Sequence, residues 1–295
     1  MYWLNVVNGQ LCPDRFTRQY ARRQDPHSLI FEAILYGNKS EVQQLISAGV
    51  DKNVVTHRHV RWEGASALGA AAYEGQMEIV RYLVDIGTSV NFCDPCQKRT
   101  PLHWACLGNQ YQAATYLVTR GADVNHRDLE QTTPLLRAVL GKNVDLVRYL
   151  IENGADVRHT DVLGCSVLHY ACIHADSTLI NAAIKAGCIS NNIAMIGKGT
   201  PLQTLATQND TGSVRLLLEA GYDLQNDRPW VKSLPPSCSN TSLQRVVKFN
   251  SQPMSLKILC RKTIRKAMGG VKLEQRLNKI PCPNLIHHYL TLDGL

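Results

Sequence analysis

Apolar residues in this chain recur with two periods at once. The short period is helical: Val147, Leu150 and Ile151 stand seven, four and three residues before Gly154, and Val214, Leu217 and Leu218 stand at the same offsets before Gly221. The pattern also holds before Gly49, Gly87, Gly121 and Gly187, and all eighteen positions are apolar. Spacing of i, i+3 and i+4 lays them on one stripe of a short helix, and the glycine after the stripe can take the left-handed conformation that closes it. The long period separates the apolar anchors Ile30, Leu68, Leu102, Leu135, Leu168 and Leu202 by 33 or 34 residues, with one step of 38. Six copies of one unit are therefore predicted.

The start of each unit is marked as clearly as its end. Thr100-Pro101, Thr133-Pro134 and Thr200-Pro201 supply a hydroxyl N-cap, then a proline whose missing N–H costs nothing at the first helical position. Each unit is thus a pair of short helices that cannot bury its apolar faces alone, and stacking successive units creates a continuous core. The pattern predicts an all-α solenoid of about six repeats with short hairpin turns. The first copy, from Ser28, lacks Thr-Pro as a capping unit would, and the copy at Ser166 has Val167 in place of proline. The long step places its extra residues in the turn around 57–63, which contains Trp62.

Composition changes this picture little. The chain has 295 residues, 44% of them hydrophobic, which suits an ordinary globular protein, and no apolar stretch approaches the roughly 20 residues a spanning helix needs. The N-terminal run stops at Asn8 without the basic region or apolar core of a secretory signal, so the chain is expected to stay inside the cell. Its ten scattered cysteines read as reduced thiols.

Charge changes the picture more. The net charge is +8, yet between Arg245 and Lys279 there are ten basic residues against the single acidic Glu274, and the remainder is close to neutral. In this segment Leu256, Leu259, Cys260, Thr263 and Ile264 fall on one face of a predicted helix, with Lys257, Arg261, Lys262, Arg265 and Lys266 on the other. Gly269-Gly270 ends that helix, and Ile280-Pro281-Cys282-Pro283 leads into a short apolar helix with Leu285, Ile286, Tyr289 and Leu290. A solvated face, a calmodulin-type or membrane-surface helix, and a nuclear-localisation or nucleic-acid patch would all use such a helix, and the physics alone does not choose among them.

Two resemblances do choose. Thr100 to His103 and Gly121 to Asn125 match the Thr-Pro-Leu-His start and Gly-Ala-Asp-Val-Asn end of the ankyrin repeat, over roughly residues 28–227. Ser255, Leu256, Cys260 and Ile264 resemble the elongin-binding box of SOCS-box proteins, and Ile280-Pro281-Cys282-Pro283 with Leu285, Tyr289 and Leu290 resembles the cullin box of the same module. The chain is identified as resembling the ankyrin-repeat and SOCS-box family. This implies an N-terminal extension at 1–27, repeats at 28–229, a linker at 230–252 and a three-helix SOCS box at 253–295.

The resemblance implies a non-catalytic substrate receptor of an elongin–cullin RING ubiquitin ligase. Leu256, Leu259, Cys260 and Ile264 would engage elongin C in its heterodimer with elongin B. Ile280, Pro281, Pro283, Leu285, Tyr289 and Leu290 would meet cullin-5, which carries the RING subunit. The repeats would hold an unidentified target protein, with Trp62, Gln97, Arg99, Trp104, Leu129, Glu130, Arg137 and Tyr170 at positions that such arrays direct to the groove or loop tips. The expected location is the cytoplasm, with the nucleus also open to it. The N-terminal 25 residues read either as a disordered tail or as a strap that completes the groove.

Other motifs carry less. Cys93, Cys96, His103 and Cys106 have the composition of a zinc site, but His169 and Cys172 repeat the second half at matching positions without a cysteine pair before them. A repeat histidine and a buried small hydrophobe explain both pairs better. No phosphate loop, nucleophile elbow or paired acid motif appears, so no catalytic residue, cofactor, metal, nucleic acid or membrane partner is expected.

Overall fold

A computed structural model describes residues 6–7, 10–11, 26–56, 62–189, 199–234, 241–251, 256–268, 275–276 and 279. Six helix pairs follow one another along it. They are α1 (Pro26–Leu35) with α2 (Lys39–Ser47), α3 (Ala67–Glu74) with α4 (Met77–Asp85), and α5 (Pro101–Leu107) with α6 (Tyr111–Thr119). Then come α7 (Pro134–Leu140) with α8 (Val144–Glu152), α9 (Val167–Ile173) with α10 (Ser177–Lys185), and α11 (Pro201–Thr207) with α12 (Thr211–Glu219). First helices pack on first helices and second on second, so the buried stripes merge into one core running from Ile30 to Val246. This is the solenoid that the repeat predicts.

The capping residues do what their chemistry suggests. Thr133 Oγ1 accepts from the Leu136 N–H at 3.4 Å and starts α7. At Thr100 the cap is reciprocal: the Thr100 N–H donates to His103 Nδ1 at 3.2 Å, and His103 Nε2 reaches the Thr132 carbonyl of the next turn at 3.0 Å. Ser166 and His169 repeat the reciprocal cap at 3.1 Å. A neutral imidazole protonated on Nε2 satisfies every bond of His103, and burial pushes its pKa down to about 4. Both ring nitrogens are engaged inside the repeats, and Cys106 and Cys172 are buried small hydrophobes. The histidine and cysteine of the zinc-like string therefore have structural work of their own.

Three features depart from the sequence reading. Val6–Val7 and Gln10–Leu11 form a two-stranded antiparallel hairpin in the N-terminal extension. The stretch read as a linker holds helices α13 (Arg228–Ser233) and α14 (Thr241–Ser251). Helix α14 packs on α11 and α12 and buries Val246, and Asn209 Oδ1 accepts from the Ser242 N–H at 3.3 Å. The Pro235-Pro236 break hides the i, i+3, i+4 spacing of Leu243, Val246 and Val247, so the array continues past its last full unit. Trp62 is the third: it is fully buried, 6.3 Å from Phe31 by ring centroids, with Nε1 donating to Glu74 Oε1 at 2.9 Å. The indole lies against Phe31 of the first unit, so Trp62 is core and presents no surface to a target.

Candidate functional site

The basic helix is α15 (Leu256–Met268), and its orientation is the opposite of an ordinary surface helix. Arg261, Lys262 and Arg265 look inward. Arg261 and Arg265 are buried at 3% and 0% exposure. Arg261 Nη1 donates to the Glu219 carbonyl at 2.6 Å, and Arg265 Nη2 donates to the carbonyls of Ile184 and Lys185 at 2.6 and 2.8 Å. Lys262 Nζ pairs with Asp223 Oδ2 at 3.1 Å. Burial, with the neighbouring Arg261 and Arg158, pushes the Arg265 pKa down to about 10, so the side chain stays cationic at neutral pH.

Because Arg261, Lys262 and Arg265 face the repeats, Leu259, Cys260 and Thr263 are left outside. Leu259 is 44% exposed, Cys260 and Thr263 are exposed, and Ile264 is half-buried at the edge of the docked face. Leu256 is the first residue of the helix, one turn before Leu259 and Cys260. A leucine and a small thiol on an open helix face suit an apolar pocket on a partner. Ile280, Pro281, Pro283, Leu285, Tyr289 and Leu290 lie outside the described residues.

The second candidate surface is the row of hairpin tips before α5, α7 and α9. Each tip is built around one buried aspartate. Asp94 accepts from the N–H groups of Gln97 and Arg99, Asp128 from those of Glu130 and Thr132, and Asp161 from those of Leu163 and Cys165. The same position of the following helix answers the outer carboxylate oxygen each time. Trp104 Nε1 bonds Asp94 Oδ2 at 3.3 Å, Arg137 Nη2 bonds Asp128 Oδ2 at 2.7 Å, and Tyr170 Oη bonds Asp161 Oδ2 at 2.5 Å. Successive tips then pair through backbone bonds from the Leu129 N–H to the Gln97 carbonyl at 2.9 Å and from the Val162 N–H to the Glu130 carbonyl at 3.0 Å.

This arrangement sorts the expected target residues. Trp104 is buried, 6.2 Å from Tyr73 by ring centroids and beneath the Arg99 guanidinium, so like Trp62 it is core. Arg99, Arg137 and Tyr170 are half-buried and hold the tips, with Arg99 Nε 3.6 Å from Asp128 Oδ2. Burial opposes the charge of Arg137, yet its bonds to Asp128 and Glu130 prevail and raise its pKa. Gln97 is half-buried, Glu130 is exposed and pairs with Arg137 at 2.8 Å, and Leu129 is 57% exposed. Sequence reasoning missed Val162, 56% exposed at the position matching Leu129, and the open Leu107 and Ile173 at matching ends of α5 and α9. Aligning the units position by position would have found all three.

Among the described residues no group of three or more metal-ligating side chains comes together, and no helix is long and apolar enough to cross a membrane. Comparison with known families finds ankyrin repeats (3 copies) at residues 30–128 and again at 135–228, and a SOCS box at residues 252–291. The chain is 29% identical over 228 residues to ZDHHC13 of Danio rerio, named as a palmitoyltransferase, which covers 75% of this chain and 34% of that protein. It is 32% identical over 101 residues to palmitoyltransferase Hip14 of Drosophila melanogaster, covering 34% of this chain and 15% of that protein. A third match, palmitoyltransferase AKR1 of Lachancea kluyveri, is 28% identical over 128 residues, or 43% of this chain and 17% of that protein. The chain thus spans about a third or less of the length of these relatives, and what it shares with them is the ankyrin repeats.

Proposed function

The chain belongs to the ankyrin-repeat and SOCS-box family of ubiquitin-ligase substrate receptors, and from that premise we propose that it recruits elongin B, elongin C and cullin-5 with its RING subunit through α15 and the segment after it, and holds a target protein on its hairpin tips. The observation that carries this reading is the orientation of α15: Arg261, Lys262 and Arg265 face the repeats, and Leu259 and Cys260 face out. Leu256, Leu259 and Cys260 are the anchors for elongin C, with Ile264 at the rim. Ile280, Pro281, Pro283, Leu285, Tyr289 and Leu290 meet the cullin. The chain supplies no reacting group; it raises the local concentration of target lysines near the charged ubiquitin-conjugating enzyme.

The rival reading, a scaffold whose basic helix binds calmodulin, membrane or nucleic acid, needs the cations of α15 in solvent. Arg261, Lys262 and Arg265 are instead bonded to the repeats. On the target side, Leu129 and Val162 are the open apolar tips, flanked by Gln97 and Glu130, while Arg99, Arg137 and Tyr170 keep the tips in shape.

Co-expression with elongin B and elongin C tests the proposal by size-exclusion chromatography. Wild type is expected to elute as a stoichiometric ternary complex, and a Leu256→Ala, Cys260→Phe double variant as the free, folded chain. A wild type that elutes alone, well folded, would sink the assignment.

A further inference from the structure

Among the described residues Arg265 is one of the largest fully buried side chains, and its neighbour one turn earlier, Arg261, is buried almost as deeply. A buried guanidinium needs something negative to answer it, and here backbone carbonyls do much of that. The acceptors are backbone carbonyls at helix ends. Ile184 and Lys185 close α10, and Glu219 closes α12. The last carbonyls of a helix lack i+4 partners and carry the negative end of its dipole, so they suit a cation, even where, as at Ile184, the Gly187 N–H already bonds one of them at 3.0 Å. Arg265 and Arg261 therefore cap the second helices of two neighbouring units at once.

The repeats are altered to receive this helix. In earlier units a side-chain ladder links neighbours: Asn91 Nδ2 donates to the Gly121 carbonyl at 3.1 Å and Asn91 Oδ1 accepts from the Asp123 N–H at 2.8 Å. Asn125 repeats both bonds toward Gly154 and Asp156 at 3.0 and 2.8 Å. The next residue in this series is Arg158, whose Nη2 instead crosses to the Arg265 carbonyl at 2.9 Å. The glycine that closes α12 is altered in use as well. A Cβ on Gly221 would lie 2.7 Å from Lys262 Cβ and 3.1 Å from its Cα, so only glycine, at φ +94°, lets α15 approach this closely. The tie between Lys262 and Asp223 completes a set of anchors drawn from successive units onto one helix.

We propose that Arg261 and Arg265, with Arg158 and Lys262, are positioning residues for ubiquitin transfer: they fix the ligase-recruiting helix at one angle to the repeats, so that a bound target is presented to the conjugating enzyme from one direction. A helix held at a single point can pivot. One held through two helix ends, a side-chain carboxylate and a returning arginine cannot do so without breaking several charged hydrogen bonds together. This assigns a mechanical task to part of the C-terminal basic excess, and it rests on the receptor reading given above.

The experiment compares the full-length wild type with an Arg261→Met, Arg265→Met variant. On the chain alone, the amides of α15 are expected to exchange at least roughly tenfold faster in the variant while those of α3 to α8 are unchanged. With elongin B and elongin C the variant is expected to form the same ternary complex, because its outer face is intact. With cullin-5 and its RING subunit added, the chain's own lysines report the geometry. Wild type concentrates self-ubiquitination on few of them, and the variant spreads it over more while the preferred site slows by roughly tenfold. Discharge of ubiquitin to free lysine is expected to be equal in both.

Superimposable exchange and an unchanged lysine map in a variant that still binds the elongins would overturn the proposal. If the double variant does not fold, an Arg158→Ser, Lys262→Ala variant removes two outer ties without emptying the buried sites. It is expected to move both readouts in the same direction by a smaller amount, and no movement overturns the proposal equally. A wild type that forms no elongin complex defeats the receptor reading, and the exchange comparison on the chain alone still decides whether the arginines fix the helix.

Discussion

At the scale of single residues, this molecule places polar groups inside and gives several of them a fixed task. His103 shows how far that can be turned into a measurement. Its Nδ1 accepts at the start of α5 and its Nε2 bonds the next turn, an arrangement that needs the neutral ring. Burial holds its pKa near 4, below the value of about 6.5 in an unfolded chain. Between those values the unfolded state binds more protons, so stability is fully present above pH 6.5 and falls as the pH drops toward 4. The loss is at most roughly 3 kcal/mol. Urea midpoints taken at pH 7.5 and pH 4.5 should show it, and His103→Gln, which keeps an acceptor at this position without titrating, should show a smaller difference between the two. The residue scale is also where the sequence was hardest to read. Trp62 and Trp104 were expected at a target surface because aromatics often serve as anchors, but an indole in a loop or on a helix gives no sign of which way it points. Only Phe31 and Glu74 around the one, and Tyr73 and Asp94 around the other, reveal that both are core.

At the scale of elements, each hairpin tip depends on one buried carboxylate, and Asp128 has the most demands on it. It holds its own turn through the Glu130 and Thr132 N–H groups, bonds Arg137 and lies beside Arg99. Asp128→Ala leaves Arg137, whose side chain is 11% exposed, without its main partner, and should lower stability by about 3 kcal/mol. Arg137→Met in the same chain should recover part of that loss, because the stranded cation is gone; a double-mutant cycle on denaturant midpoints checks it. Whole helices were legible wherever two signals coincided, a Thr-Pro start and an apolar stripe before glycine. Helix α14 escaped because its stripe follows a Pro-Pro break and has no such start. Helix α15 was legible as a helix and not as an orientation. Amphipathicity separates two faces without saying which is buried, and a row of arginines ordinarily faces water. What reverses the rule is the pair of helix C-termini on α10 and α12, which no one-dimensional pattern displays.

At the scale of the whole molecule, a solenoid has no centre, so each unit is stable only through its neighbours and the ends need cover. Here α14 and α15 cover the far end, the first by packing on α11 and α12, the second by capping α10 and α12. The module that recruits the ligase is thus also the terminal cap of the array. Removing everything after residue 234 should therefore act locally. It uncovers the surface beneath Val246 and frees the carbonyls of Ile184, Lys185 and Glu219, so amides of α9 to α12 should lose protection first. Amides of α3 to α6, several units away, should exchange as in the intact chain. Hydrogen exchange on the truncated and full-length proteins separates this from the alternative, a uniform loss of protection across all units, which would mean that the array unfolds as one body. The graded outcome has a consequence for function. A ligand or partner that loosens α15 would also loosen the last two repeats, so elongin binding and target holding would be coupled through the cap they share, with the coupling fading toward the first unit.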